Sequence, residues 1–93
     1  MRFEWDEEKD KINKKKHGIS FDIAKHVFFD PNRIEYYDEA HSYDEDRWIT
    51  IGKAGKILFV VYTERDYGNT IRLISARLAT SEERRDYNEN GDY

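Results

Sequence analysis

Apolar residues recur with different periods along this chain, and each period marks a different kind of element. From Arg2 to Trp5, aromatic and polar residues alternate, the pattern of a short strand. The next segment has almost no apolar residue except Ile12, yet its ends are marked for a helix. Asp6 is placed to cap it, Glu7 and Glu8 fall in the first turn, Lys14, Lys15 and Lys16 in the last, and His17-Gly18 closes it. Such a helix is held by its ends and one apolar contact. Phe21, Ala24, Val27 and Phe28 then follow helical spacing behind a second cap, Ser20, until Asp30-Pro31 stops the run.

Beyond Pro31 the period shortens. Arg33 to Tyr37 is rich in β-branched and aromatic residues and predicts a strand, Asp38 to Asp46 predicts an acidic loop, and Arg47 to Gly52 alternates as another strand. Lys53-Ala54-Gly55-Lys56 predicts a turn into Ile57 to Thr63, a nearly continuous apolar run expected of a central strand covered on both faces. Ile71 to Arg77 predicts an antiparallel return. Thr80-Ser81-Glu82-Glu83 has the form of a capping box, so a last helix starts there, carries Arg84 and Arg85, and ends at Asn90-Gly91. This order predicts an α+β fold: a mostly antiparallel sheet of four or five strands, two N-terminal helices on one side, and a C-terminal helix.

Length narrows the picture further. With 93 residues the chain is a single domain, 1–93, with a small core. Aromatic residues make up 15%, so Trp5, Phe21, Phe28, Trp48 and Phe59 are expected to supply much of the burial. The absence of cysteine removes disulfides, thiolate chemistry and most zinc patterns, and three scattered histidines suggest no metal site and no cofactor. No leader and no membrane-spanning stretch is visible, which makes a cytoplasmic protein the expectation.

Charge is unevenly placed. The net value is −4, but Lys9 to Lys25 holds six lysines against Asp10 and Asp22, whereas Glu35 to Asp46 holds six acids and no lysine or arginine. Arg65, Arg72 and Arg77 add a second basic region within the stretch Thr63 to Thr80, beside Glu64. Guanidinium forks suit a polyanion, although exposed hairpin arginines paired with acids give the same sequence pattern. In a regular strand Arg72 and Arg77 point to opposite faces, so the three share one site only if a bulge or strand end re-aims one of them. His17 reads first as a cap on helix carbonyls, His26 as polar-side, and His41 as a loop residue with a structural or solvated role. The tyrosines, from Tyr36 to Tyr93, are mostly packing or surface residues, with base stacking as the functional option.

The blocks FEWDEEK, NKKKHGISFDIAKHVFFDP, RWITIG, VVYTER and IRLISARLATSEERRDY, in this order from Arg2 to Tyr87, resemble the BrnT toxin family. Trp5, Asp6, Lys9, Asn13, Lys16, His17, Gly18, Phe21, Arg47, Thr63, Glu64, Arg65, Arg72, Ser75, Arg77 and Glu83 occupy that family's recurrent positions. The loop DYGNT is somewhat longer than the pattern suggests, and the overall acidity is unusual for a ribonuclease. The resemblance implies a RelE-like fold and a metal-independent endoribonuclease that blocks translation and growth. It also implies a BrnA-like antitoxin with a ribbon-helix-helix DNA-binding region, giving a 2:2 complex in which DNA is contacted only through the antitoxin.

Cleaving RNA without a metal needs a proton acceptor, a donor and cations on the developing phosphorane charge. The candidates are Arg65, Arg72 and Arg77 for charge and Glu64 or His17 for the proton. Lys9, Lys14, Lys15 and Lys16 form a lysine surface for RNA, which the antitoxin would cover together with the hairpin arginines. No convincing acid/base pair stands out, so the alternative is a catalytically inactive partner-binding or regulatory subunit of the same fold.

Overall fold

Chain order and sheet order differ at one edge. The computed structural model describes residues 1–90, with strands β1 (Arg2–Glu4), β2 (Ile34–Tyr37), β3 (Trp48–Ala54), β4 (Lys56–Arg65) and β5 (Thr70–Leu78) arranged β1-β5-β4-β3-β2. The β2-β3, β3-β4 and β4-β5 pairs are antiparallel, and β1 runs parallel to β5. The α+β expectation holds, with β4 central as its apolar run predicts.

The helices begin where the caps place them, and the first ends at its glycine. In α1 (Glu7–His17) Asp6 Oδ1 accepts the N–H groups of Glu8 and Lys9 at 2.8 and 3.1 Å, and Gly18 closes the helix at φ 72°, donating its N–H to the Lys14 carbonyl. The second segment is α2 (Phe21–Ala24), which tightens into a 3₁₀ turn over Lys25–Phe29. α3 (Ser81–Asn90) opens on the expected capping box, Thr80 N–H to Glu83 Oε1 at 2.8 Å and Glu83 N–H to Thr80 Oγ1 at 3.2 Å. Gly91, expected to end this helix, and Tyr93 lie outside the described residues.

Alternation along the strands sorts side chains onto two unequally covered faces. On the first, Leu58, Val60, Tyr62, Ile71, Leu73 and Ala76 are buried under Phe21, Ala24, Val27 and Phe28. The 3₁₀ turn sits close enough to β3 that a Cβ on Gly52 would come within 3.1 Å of Val27 and Arg33, so a side chain there would make its neighbours give way. On the second face α3 covers one end of the sheet. Tyr87 is buried there near Ile51 and Ala79, and its hydroxyl donates to Asp30 Oδ2 at 2.6 Å. β4 is therefore not covered equally on both sides. Leu58, Val60 and Tyr62 are buried, whereas Ile57, Phe59 and Val61 are half-buried, because a ten-residue helix is too short to roof the whole face.

The contact that anchors α1 is not the expected one. Ile12 is 59% exposed, and the buried residue of the helix is its neighbour Asn13. β1 covers the outer edge of β5 only at residues 70 to 72, which leaves the backbone at Ala76 without a strand beside it. The Asn13 amide takes that place. Its Nδ2 donates to the Ala76 carbonyl at 2.8 Å and its Oδ1 accepts the Ala76 N–H at 3.1 Å, while Nδ2 also donates to the Ile19 carbonyl at 2.9 Å. Asp10, one turn earlier, accepts the Phe21 N–H at 2.8 Å and fixes the start of α2.

Replacing Asn13 by alanine leaves three buried backbone groups without partners, which is expected to cost about 2–4 kcal/mol. Ile12→Ala is expected to stay within about 0.5 kcal/mol. Urea midpoints of the two variants separate these outcomes, and equal shifts would show that α1 is anchored by apolar contact after all.

Candidate functional site

A β-bulge decides where the arginines point. Val61 pairs with Ser75, but the next residue, Tyr62, pairs with Leu73, so Ile74 is an extra residue in β5. Beyond it Arg72 lies opposite Thr63, and on the near side Arg77 lies opposite Phe59. Thr63, Phe59 and Arg65 alternate on one side of β4, so Arg65, Arg72 and Arg77 all occupy the second face.

Sharing a face does not make them a cluster. Arg72 and Arg77 stand about 15 Å apart at the usual strand rise, and each arginine is held by its own carboxylate. Arg65 pairs with Glu45 at 3.1 Å, Arg72 with Glu4 at 2.5 Å, and Arg77 with Glu83 through two bonds of 2.8 and 3.0 Å. The Arg77 guanidinium also stacks 3.9 Å from the Phe59 ring centroid.

The two proton-acceptor candidates are separated as well. Glu64 is exposed at the β4-β5 hairpin, where it faces a concavity shared with Trp48 and Tyr67. His17 lies at the opposite end of β4, beside Gly55 and Lys56. Eight residues of strand, about 26 Å, divide Glu64 from Lys56, so Glu64 and His17 do not act on one phosphate. Lys9, Lys14, Lys15 and Lys16 are exposed on α1, at the sheet edge.

What the second face does assemble is a groove beside α3. About 380 Å³ in volume, it has Ile49, Phe59, Val61 and Ile74 as its floor and Arg47, Arg77, His41, Asp38 and Ser75 around it. The bulge builds part of the floor by turning both Ile74 and Ser75 toward it. His41 Nδ1 lies 3.1 Å from both carboxylate oxygens of Asp38, with the His41 side chain 64% exposed and Asp38 only 11%. Among the described residues the Arg47 guanidinium has no ion-pair partner. Continuing the β3-β4 register one residue beyond Trp48 sets Arg47 beside Thr63, with Arg72 on the other side.

Sequence reasoning placed Arg47 in the family set but not in the site, and it read His41 as a loop residue with a structural or solvated role. An i, i+3 Asp-His spacing was the available signal. The loop's fold makes it meaningful: Ser42 Oγ donates to the Asp38 carbonyl at 2.6 Å and accepts the Arg47 N–H at 2.9 Å, closing the segment on itself.

Arg77 hydrogen bonding lowers the Glu83 carboxyl below its ordinary value against an opposing effect of burial. On the covered face burial pushes Glu35 up, but hydrogen bonds from Tyr62 and Arg33 outweigh it and leave the carboxyl low. Burial and then Asp30 push Tyr87 up to about 12. No helix among the described residues is long and apolar enough to cross a membrane, and no group of three or more metal-ligating side chains is found among them.

The second face is thus an apolar, partly uncovered sheet surface of a small α+β domain, with cationic side chains over it. Residues 5–83 match the family described as "Ribonuclease toxin, BrnT, of type II toxin-antitoxin system", and the chain belongs to that family of ribonuclease toxins. Its fold is similar to the 1.1 Å crystal structure of the Brucella abortus ribonuclease toxin BrnT, with 25% identity, a TM-score of 0.68, and coverage of 87% of this chain and 99% of that one. No curated protein matches the sequence.

The Glu83–Arg77 pair predicts a pH dependence. Because the folded-state value of Glu83 is lowered, its contribution is fully present above the ordinary value of 4.5 and is lost as pH falls through the lowered one. Glu83→Gln keeps the cap but not the charge, so its unfolding midpoint is expected to fall less steeply than the parent's below about pH 5. Parallel acid limbs for the two proteins would remove Glu83 as a source of acid sensitivity.

Proposed function

We propose that the chain is a metal-independent endoribonuclease toxin that cuts RNA in the groove on the second face and thereby inhibits translation and growth. Support comes from one observation: the unpaired Arg47 and the Asp38–His41 pair meet at the same apolar-floored groove as Arg77. Asp38, mostly buried, accepts the Nδ1 proton of His41 and leaves Nε2 directed outward as the base. His41 then takes the proton of a 2′-hydroxyl, the 2′-oxygen attacks the adjacent phosphorus, the bond to the 5′-oxygen breaks, and that oxygen takes up a proton from water. The products are a 2′,3′-cyclic phosphate and a 5′-hydroxyl. Arg47 and Arg77 offset the charge that develops on the phosphoryl oxygens, while Phe59, Val61 and Ile74 offer bases a surface to lie on.

Of the residues singled out in the sequence, Arg77 acts at the reacting phosphate. Arg72 and Arg65 lie farther along the same face, where they would contact flanking phosphates once RNA displaces Glu4 and Glu45. Lys9, Lys14, Lys15 and Lys16 steer RNA or partner from the sheet edge. The partner in this reading is a BrnA-like antitoxin whose ribbon-helix-helix dimer carries one toxin on each arm, a 2:2 assembly that contacts DNA through the antitoxin.

Purified protein is expected to cut RNA in excess EDTA, and His41→Ala and Arg47→Ala are each expected to slow cleavage by about 100-fold or more without lowering the unfolding midpoint. Gel-resolved cleavage rates measure this. Parental rates in both variants would place the chemistry elsewhere on the fold. A parent that leaves RNA intact and cells growing, while still binding its antitoxin, would establish the inactive partner-binding subunit instead.

A further inference from the structure

Leu78 ends β5 with 46% of its surface exposed, although it pairs with the buried Leu58 on the first face. Two adjoining concavities of about 350 and 330 Å³ meet at this residue and share Gly55 and Lys56 at the β3-β4 turn. Their walls are apolar, with Ile19, Ile23, Ile57 and Leu78 as the largest side chains, and Ile23 is itself 53% exposed. The charged groups along them are Lys53, Lys56 and Arg84, with His17 at one end, and no described carboxylate lines either one. In a chain with 20 acidic against 16 basic residues, a cleft bordered by cations alone is an uneven distribution.

Arg84 is already oriented. It donates to the Ala79 carbonyl at 2.9 Å and to Ser81 Oγ at 3.2 Å, which fixes the fork while leaving it without a described carboxylate. Lys14, Lys15 and Lys16 precede His17 on α1 and extend the positive field beyond the cleft.

We propose that this cleft is the docking site for an amphipathic segment of the antitoxin, with apolar side chains seated on Leu78 and Ile23 and carboxylates meeting Lys53, Lys56 and Arg84. The proposal rests on the reading that this toxin is silenced by a bound partner. Charge complementarity selects that occupant: an anionic segment gains from every rim group, and its apolar residues cover surface that water otherwise contacts. The cleft is distinct from the RNA groove. It wraps round the end of the sheet, with Leu78 and Leu58 on the first face and Ile57 and Arg84 on the second, and shares no lining residue with the groove.

The test uses the full chain and the full-length antitoxin encoded beside it, with affinity and association rate measured by titration at low and high salt. Leu78→Glu is expected to weaken affinity by about 30-fold or more, and Lys56→Glu to slow association and flatten its salt dependence. Both positions are exposed, so the unfolding midpoint is expected to stay at the parental value. Arg47→Ala, in the RNA groove, is expected to change antitoxin affinity by less than about threefold. Parental affinity in Leu78→Glu overturns the proposal. So does a variant whose only change is loss of self-association, which assigns the cleft to a second copy, or loss of RNA cleavage at unchanged antitoxin affinity, which assigns it to RNA. If the parent cuts no RNA, the ribonuclease reading fails while the affinity comparison still decides the cleft.

Discussion

An unprotected strand edge is the constraint on which this architecture turns. β5 needs a neighbour along its whole outer side, and β1 supplies one for only three residues. The Asn13 amide fills the gap by presenting one donor and one acceptor to Ala76, as a neighbouring strand would. α1 is thereby fixed at the edge of the sheet although it buries almost nothing apolar, and Asp10 passes that position on to α2 through Phe21. Polar anchoring also explains how a helix this rich in lysine remains in place: no apolar stripe is needed, so its surface stays available for charge.

The uneven covering of the sheet follows from the same economy of elements. Three segments are spent on the first face and the β5 edge, and one short helix is left for the second. The part of β4 and β5 that α3 does not reach becomes the groove. Arg65, Arg72 and Arg77 on this face are not loose cations but members of built ion pairs. Arg77, clamped by Glu83 and stacked on Phe59, is the most constrained of them. Arg47 has no such clamp among the described residues, which leaves its charge without a fixed counterion.

Local chemistry was well written in the sequence. Caps at Asp6, Ser20 and Thr80, the glycine after His17, and the apolar run of β4 each fix an element through residues within a few positions of one another. What the sequence concealed depends on pairing across distance. Nothing in IRLISAR marks Ile74 as extra, because a bulge is a relation between two strands, and without it the three arginines cannot be placed on one face. Ile12 was the natural anchor by hydropathy, yet the amide beside it won because an open strand edge needs hydrogen bonds more than a methyl contact. His41, expected to be structural or solvated, is 64% exposed, and its placement against Asp38 comes from the loop that Ser42 folds. Several recurrent family positions, among them Asp6, Asn13, Gly18 and Phe21, turn out to hold the scaffold together. They made the fold easier to recognise than the site.

The Asn13–Ala76 contact spans 63 positions of sequence, and this separation has a meaning in time as well as in space. During synthesis at about 5–20 residues per second, Asn13 is made roughly 3–13 s before its partner exists. For most of that interval the β5 edge that receives α1 and β1 does not exist, and α1 has only Ile19 and Phe21 to hold it. A chain of this toxin family thus closes its fold only once β5 has been made, which gives an antitoxin a definite moment at which to meet it.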